Sequence, residues 1–279
     1  MFRDKTVGVL GAGNMGQALL RGFLEAELLK PKDIIASSLD FGVLESLRNE
    51  LGIRTTLDNA ELIAGSDIVL LATKPQTIVP VLSGLKDSIR EGQIFLSVAA
   101  GVRTQVLEEA LSLELPVVRV MPNTPSLIGQ GTNAFCLGRY AGAEHARLVH
   151  ALLGSAGLSV QVEEAQMDSV TAISGSGPAY VFLFMEAFYA AGEGLGLSRE
   201  ATRDLVNQTM RGAVELAIAS EDDAAELRRK VTSPGGVTAE AIAVLEQQGL
   251  RQILKEAIQA GHDRSAEMTR ECDLAEGSS

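Results

Sequence analysis

Three stretches of this chain combine residue types that can do chemistry. The first is Val7-Gly8-Val9-Leu10-Gly11-Ala12-Gly13-Asn14-Met15-Gly16, an apolar strand that breaks into glycines and opens a helix. In such a G-x-G-x-x-G turn, Gly11 permits the tight bend and Gly13 lets the backbone approach a diphosphate. Gly16 lets the helix lie close to the strand. The N–H groups at the helix start then face the anion. The other two are Ser174-Gly175-Ser176-Gly177-Pro178-Ala179-Tyr180 and Val231-Thr232-Ser233-Pro234-Gly235-Gly236-Val237-Thr238. Each joins hydroxyls and glycines to a predicted helix start. That combination either holds a carboxylate through N–H and O–H groups or simply caps the helix. Two such loops beside a cofactor domain favour carboxylate binding.

Other chemistries lack a setting. The three histidines are His145, His150 and His262. His145 and His150 are five apart on a predicted helix, which does not put them on one face. All three are expected at the surface, and no metal is expected. Cys136 and Cys272 form no C-x-x-C pair, so a reduced, cytoplasmic protein is expected. The net charge of −12 argues against a nucleic-acid or anionic-membrane partner. No segment reaches the ~20 apolar residues of a membrane span. The charged start, Met1 to Lys5, leads into a first strand and not a secretory signal.

The elements that position these stretches alternate. With 279 residues, 46% of them hydrophobic, the chain can hold two domains of roughly 100–200 residues each. The first helix places Ala18, Leu19, Gly22, Phe23 and Ala26 on one face. Strands are predicted at 33–36, 53–55, 67–72, 93–98 and 117–120, with weaker ones at 133–136 and 159–162. Helices are predicted at 41–50, 58–64 and about 143–153. The run at 67–72 is apolar throughout, as in a buried parallel strand, and Thr73-Lys74-Pro75-Gln76 follows at its C-terminal end, where open α/β sheets bind ligands. Ala99, Ala100 and Gly101 are small enough for close approach, and Pro122 and Pro125 fix the turn around Asn123.

The second strand ends in Ser37-Ser38-Leu39-Asp40. An NAD-selective site carries an acidic residue about 20 positions past the glycines. Here the serines stand there, and they can accept a 2′-phosphate that a carboxylate would repel. NADPH is therefore favoured, with NADH possible. Asp40 either caps the next helix or turns toward the ribose.

From about residue 163 the pattern is nearly all helix. Tyr180–Ala191 is apolar almost all round and must be buried on several sides. The roughly 110 residues of this region can hardly enclose it, so a subunit interface is expected. Further helices are predicted near 199–219, 222–231, 238–246 and 250–269, and the tail 275–279 is expected to be disordered. The fold class is α/β: a Rossmann-type doubly wound sheet over residues 1–162, then an all-α substrate-binding and dimerisation domain over residues 163–279.

At the two hydroxyl-glycine loops the chain resembles the pyrroline-5-carboxylate reductase family, over about residues 5–270. The marks are GAGNMG (11–16), TKP (73–75), VAAG (98–101), MPNTP (121–125), SGSGPAY (174–180) and VTSPGGVT (231–238). The resemblance implies NADPH- or NADH-dependent reduction of the cyclic imine 1-pyrroline-5-carboxylate to L-proline, the last step of proline biosynthesis. It also implies a dimer of interlocked helical domains, in several members assembled into a decamer. Leu39, where some relatives have proline, and Val237, where a small or hydroxyl residue is frequent, depart from the pattern.

The expected cofactor-binding residues are Gly11, Ala12, Gly13, Asn14, Met15, Gly16, Ser37, Ser38, Asn59, Ala72, Thr73, Lys74, Pro75, Ala99, Ala100 and Asn123. Those expected at the substrate are Ser174, Gly175, Ser176, Ser233, Gly235, Gly236 and Thr238. A protonated ring imine accepts hydride readily, so the site has to orient the ring and offer one hydrogen bond to its nitrogen. Thr238 is the expected catalytic residue. A β-hydroxyacid dehydrogenase would carry a catalytic lysine where this chain has Val181. A non-catalytic NADP-sensing protein would not need the intact SPGGVT stretch.

Overall fold

The computed structural model describes Phe2 and residues 4–276. The chain divides into two compact units: Met1–Ser176 with Gly261–Ser279, and Gly177–Ala260. The packing boundary therefore differs from the change in composition near residue 162. The segment after the last strand packs on the sheet unit, and so does the end of the last helix. Glu164 accepts the Thr104 amide (2.8 Å) and hydroxyl (2.7 Å), and lies 3.7 Å from the buried guanidinium of Arg119. Asp168 accepts the hydroxyls of Ser265 (2.7 Å) and Thr269 (3.2 Å).

The sheet unit runs β1 (Val7–Leu10), α1 (Asn14–Glu25), β2 (Ile34–Ser37), α2 (Phe41–Leu51), β3 (Arg54–Thr56), α3 (Asn59–Ala64), β4 (Ile68–Leu71) and α4 (Pro75–Ser83). It continues with β5 (Ile94–Ser97), α5 (Thr104–Leu111), β6 (Val117–Met121), β7 (Gly131–Leu137), α6 (Ala143–Gly154), β8 (Gly157–Gln161) and α7 (Met167–Val170). The eight strands form one sheet in the order β3-β2-β1-β4-β5-β6-β7-β8. Strands β1 to β6 run parallel to one another. β7 pairs antiparallel with β6 and parallel with β8. The last two strands thus run the other way, a reversal that the apolar pattern alone does not encode.

Both sheet faces are covered, which is why the central strands read as continuous apolar runs. Val7, Val9, Ile68, Leu70 and Leu96 pack with Leu19, Leu20 and Phe23 of α1 and with Leu148, Val149 and Leu152 of α6. The alternate residues Leu10, Val69, Leu71 and Phe95 pack with Leu62, Ile63, Ile78, Leu82 and Leu107. Ala26, expected on the buried face of α1, is exposed and caps its C-terminus.

The helical unit holds α8 (Gly177–Gly194), α9 (Arg199–Ala219), α10 (Ala224–Lys230) and α11 (Val237–Gln247), and α12 (Leu250–Glu276) begins in it. Its core is minimal: among residues 177–260 only Thr202 and Val206 are buried. No residue of α8 is buried, and Phe182 (55%) and Leu183 (67%) are largely exposed. The expected disordered tail is corrected in part: Ala275 and Glu276 end α12, and 277–279 lie outside the described residues. Among the described residues no helix is long and apolar enough to cross a membrane.

Candidate functional site

Strand register gathers the expected cofactor residues. Ser37, Leu10, Leu71, Ser97 and Arg119 lie in one row across the parallel strands. The segments that follow the ends of β1, β2, β4, β5 and β6 therefore emerge at the same edge. They carry Gly11–Gly16, Ser38, Ala72–Pro75, Ala99–Ala100 and Asn123. Asn59 opens α3 just past the end of β3.

The glycine turn has the geometry its residues demand. Gly11 has φ +92°, a left-handed conformation that side chains other than glycine rarely adopt. Its amide and that of Ala12 donate to the Ser37 carbonyl at 3.1 and 2.8 Å, which ties the turn to β2. A Cβ on Gly16 would stand 3.0 Å from the Gly11 carbonyl and 3.1 Å from Val9, so α1 packs directly on β1. Around Gly13 there is open space instead, which leaves room for a ligand against the backbone. Gly13 caps α1 with no side-chain bond, and the amides of Asn14, Met15 and Gly16 have no partner within the helix. Open backbone and unpaired donors at a helix start fit the diphosphate of a dinucleotide.

At the end of β2 the structure separates the two serines. Ser37 is the last residue of the strand and only 2% exposed. Its carbonyl anchors the glycine turn. Ser38 is half-buried, and its Oγ accepts the Asp40 amide at 3.1 Å. Asp40 caps α2: its Oδ1 accepts the amides of Gly42 (2.8 Å) and Val43 (3.3 Å). Of the two roles open to Asp40, the cap is the one adopted.

Lys74 is exposed and precedes Pro75, the first residue of α4; its carbonyl accepts the Thr77 hydroxyl at 2.9 Å. Ala99 is buried and Ala100 half-buried. Asn123 is 8% exposed, and both ends of its amide already bond within the chain. Its Oδ1 accepts the Thr132 amide at 2.8 Å, and its Nδ2 donates to the Ser174 carbonyl at 3.0 Å.

The stretch around Ser174 opens α8 at Gly177, as expected, but its first residues already lie in a helical turn. Residues Thr171–Gly175 form a π turn directly after α7, and the Ser176 amide donates to the Thr171 carbonyl at 2.8 Å. Ser174 Oγ donates back to the Val170 carbonyl at 3.1 Å. The donors at this stretch are thus partly engaged before α8 begins. Glycine and serine read as loop formers in sequence, whereas the turn is held by packing. Met121 Cε lies where a Cβ on Gly175 would approach within 2.5 Å.

The third stretch lies in the helical unit. Gly235 has φ +68°, and the Gly236 amide donates to the Ser233 carbonyl at 3.0 Å. Gly236 is the N-cap of α11 and supplies no side-chain cap. Thr238, in the first turn of α11, is exposed. Among the described residues its hydroxyl makes no hydrogen bond within the chain, and neither does that of Ser233. Simple capping therefore does not account for either hydroxyl.

Comparison with known proteins agrees with this layout. Residues 164–268 match the family described as "Pyrroline-5-carboxylate reductase dimerisation", and residues 6–101 match "NADP oxidoreductase coenzyme F420-dependent". The pyrroline-5-carboxylate reductase of Pseudomonas aeruginosa is 40% identical over 266 residues, 95% of this chain and 97% of that protein. The chain belongs to the pyrroline-5-carboxylate reductase family. The solved pyrroline-5-carboxylate reductase of Coxiella burnetii superposes with a TM-score of 0.88 at 35% identity, covering 95% of this chain and 98% of that one. The pyrroline carboxylate reductase of Plasmodium falciparum, solved with NADP bound, gives 0.87 at 32% identity over 95% and 98%.

Membership in the pyrroline-5-carboxylate reductase family accounts for the near-coreless helical unit. The matching family is described as a dimerisation region, and α8 leaves an apolar surface exposed. Two features of the site were not anticipated from sequence. Arg119 is a buried strand cation that holds Glu164. Asp168 ties the end of α12 to α7. The only signal for Arg119 was a charge inside an apolar strand, Val117-Val118-Arg119-Val120.

Proposed function

We propose that the chain reduces 1-pyrroline-5-carboxylate to L-proline with NADPH as the preferred reductant and NADH as a weaker one. The observation that carries this reading is family membership at 40% identity along nearly the whole chain, together with a glycine turn whose open backbone suits a dinucleotide. When bound, the reduced nicotinamide supplies the hydride.

The chain's own residues do the rest. Gly11–Gly16 hold the diphosphate through the unpaired amides at the start of α1, and the loops bearing Ala72–Pro75 and Ala99–Ala100 form the adjoining wall. Ser233, Gly235 and Gly236 hold the substrate carboxylate. The unengaged hydroxyl of Thr238 hydrogen-bonds the ring nitrogen and so fixes the ring's orientation. With Asn123 bonded internally, it positions Ser174 and its neighbours instead of contacting the cofactor. Ser38, and not the buried Ser37, receives the 2′-phosphate. Asp40 does not oppose it at close range, because its carboxylate faces the start of α2.

Val181 at the position of a dehydrogenase lysine speaks against lysine-assisted alcohol oxidation. The active unit is a homodimer built through the helical units, and the decamer implied by the resemblance is an assembly of such dimers. The expected location is the cytoplasm. The test is turnover by the purified protein: NADPH consumption that depends on the imine, with proline formed in equal amount. No imine-dependent consumption would refute the reading.

A further inference from the structure

The end of the last helix meets the sheet unit through two hydroxyls. Ser265 and Thr269 lie one turn apart on α12 and are 7% and 2% exposed. A buried hydroxyl within a helix commonly donates back to the carbonyl one turn earlier. Both of these donate outward instead, to the same oxygen, Oδ1 of Asp168, at 2.7 and 3.2 Å. Apolar side chains would hold α12 against α7 equally well, but they tolerate sliding. Two hydrogen bonds that converge on one oxygen fix distance and direction together.

Each side of this link leads to a segment of the site. On the α12 side, the backbone at Thr269 carries Gly101. A Cβ on Gly101, whose φ is +79°, would stand 3.4 Å from the Met268 carbonyl and from the Thr269 amide nitrogen. The segment Ala99–Gly101 therefore rests directly on α12. On the other side, Asp168 lies in α7, which runs without a break into the π turn at Thr171–Gly175. Thr171 Oγ1 donates to the Met167 carbonyl at 2.8 Å across that junction, and the Ser174 carbonyl accepts Asn123 Nδ2 at 3.0 Å. Ala99–Gly101 and Ser174–Ser176 are thus joined through Thr269 and Asp168. Turns of the π type recur where a helix serves a functional site.

We propose that Asp168 is a positioning residue for hydride transfer. Its carboxylate acts through Ser265 and Thr269 and sets the spacing between the cofactor wall at Ala99–Gly101 and the substrate turn at Ser174–Ser176. This rests on the proposed reaction and on the reading of those two segments as walls of its site. A misplacement of about 1 Å can cost about 10²-fold in rate, so a link that acts on position alone shows in the rate of the chemical step.

The test uses the full chain with Asp168→Ala, Asp168→Asn, Thr269→Val and the pair Ser265→Ala/Thr269→Val. Calorimetry gives NADPH affinity. Rapid mixing of the NADPH-loaded protein with 1-pyrroline-5-carboxylate gives a single-turnover rate, which belongs to each active molecule, and an amplitude, which counts them. Asp168→Ala should lower the rate about ten- to a hundredfold, with amplitude and NADPH affinity little changed. Asp168→Asn keeps a carbonyl oxygen for both hydroxyls and should restore most of the rate. The Ser265→Ala/Thr269→Val pair should match Asp168→Ala, and adding Asp168→Ala to it should lower the rate no further. Thr269→Val keeps its shape and the Ser265 bond, so it should fold even where Asp168→Ala does not, with a rate between wild type and the pair. An unchanged rate in Thr269→Val or in folded Asp168→Ala would overturn the proposal. So would a loss of amplitude at an unchanged rate, the mark of a purely structural link. Asp168→Asn as slow as Asp168→Ala would also overturn it, because charge and not the two hydrogen bonds would then matter. Wild type that reduces no imine would remove the proposed reaction and this proposal together. Wild type that reduces it no faster than Asp168→Ala would remove this proposal alone.

Discussion

Thr238 offers a hydroxyl that its own helix does not use, and that separates it from a capping threonine. Thr238→Ala should lower kcat by up to ~10²-fold, the low end for a positioned proton donor, with NADPH affinity little changed. Steady-state kinetics with a binding titration checks this, and full activity in the variant would return Thr238 to a purely local role. Ser38 makes a second prediction. Ser38→Asp puts a carboxylate beside the proposed 2′-phosphate position, so kcat/KM for NADPH should fall while that for NADH changes little. An unchanged ratio would show that Ser38 is not the discriminator. Asn123 bonds two backbone groups at once, so Asn123→Ala leaves both the Thr132 amide and the Ser174 carbonyl without that partner. Denaturant unfolding should show a loss of about 1–3 kcal/mol, and KM for the imine should rise more than that for NADPH. Burial, the first cause, pushes the Cys136 thiol up to about 12, so the folded protein should resist thiol reagents at this residue until it is unfolded.

Most elements were legible because each strand and helix of the sheet unit obeys a local pattern. The runs at β1, β4, β5 and β6 are apolar on both faces since helices cover both. Asp58 and Asp40 announce α3 and α2 by capping them. What the pattern could not give depends on tertiary contacts. The π turn at Thr171–Gly175 is made of serine and glycine, which prefer loops, and packing holds it in a helical path. The separation of Ser37 from Ser38 depends on one residue of strand length. The reversal at β7 follows from the turn after Met121 and not from the strand's own residues. At this scale Asp67 provides a test. Burial alone would raise its pKa, but the Thr6 amide (2.8 Å) and Arg90 (2.8 Å) outweigh it and hold the carboxyl below its ordinary value. Its folded pKa is depressed, so it contributes stability above the unfolded value of about 3.9. That contribution disappears as pH falls through the folded value. Asp67→Asn should therefore cost about 1 kcal/mol at neutral pH, and the two proteins should converge in stability at strongly acid pH. A difference that persists there would mean that the loss is not one of charge.

At the scale of the whole molecule, the helical unit is the part that cannot stand alone. Two buried residues are not a core, and the hydrophobic area on α8 needs a partner surface to leave water. Leu183→Glu puts a charge into that surface and should give a monomeric or unfolded protein in sedimentation at micromolar concentration, with activity lost. A stable, active wild-type monomer under the same conditions would refute the obligate dimer. The reaction itself is tested most directly by following the hydride. The imine is incubated with purified protein and NADPH deuterated at the transferable position of the nicotinamide, and the product is analysed by mass spectrometry and NMR. The account predicts proline that carries one deuterium at the carbon that was the imine carbon, formed one-for-one with the NADPH consumed. Unlabelled proline, or NADPH oxidised with no proline formed, would contradict it.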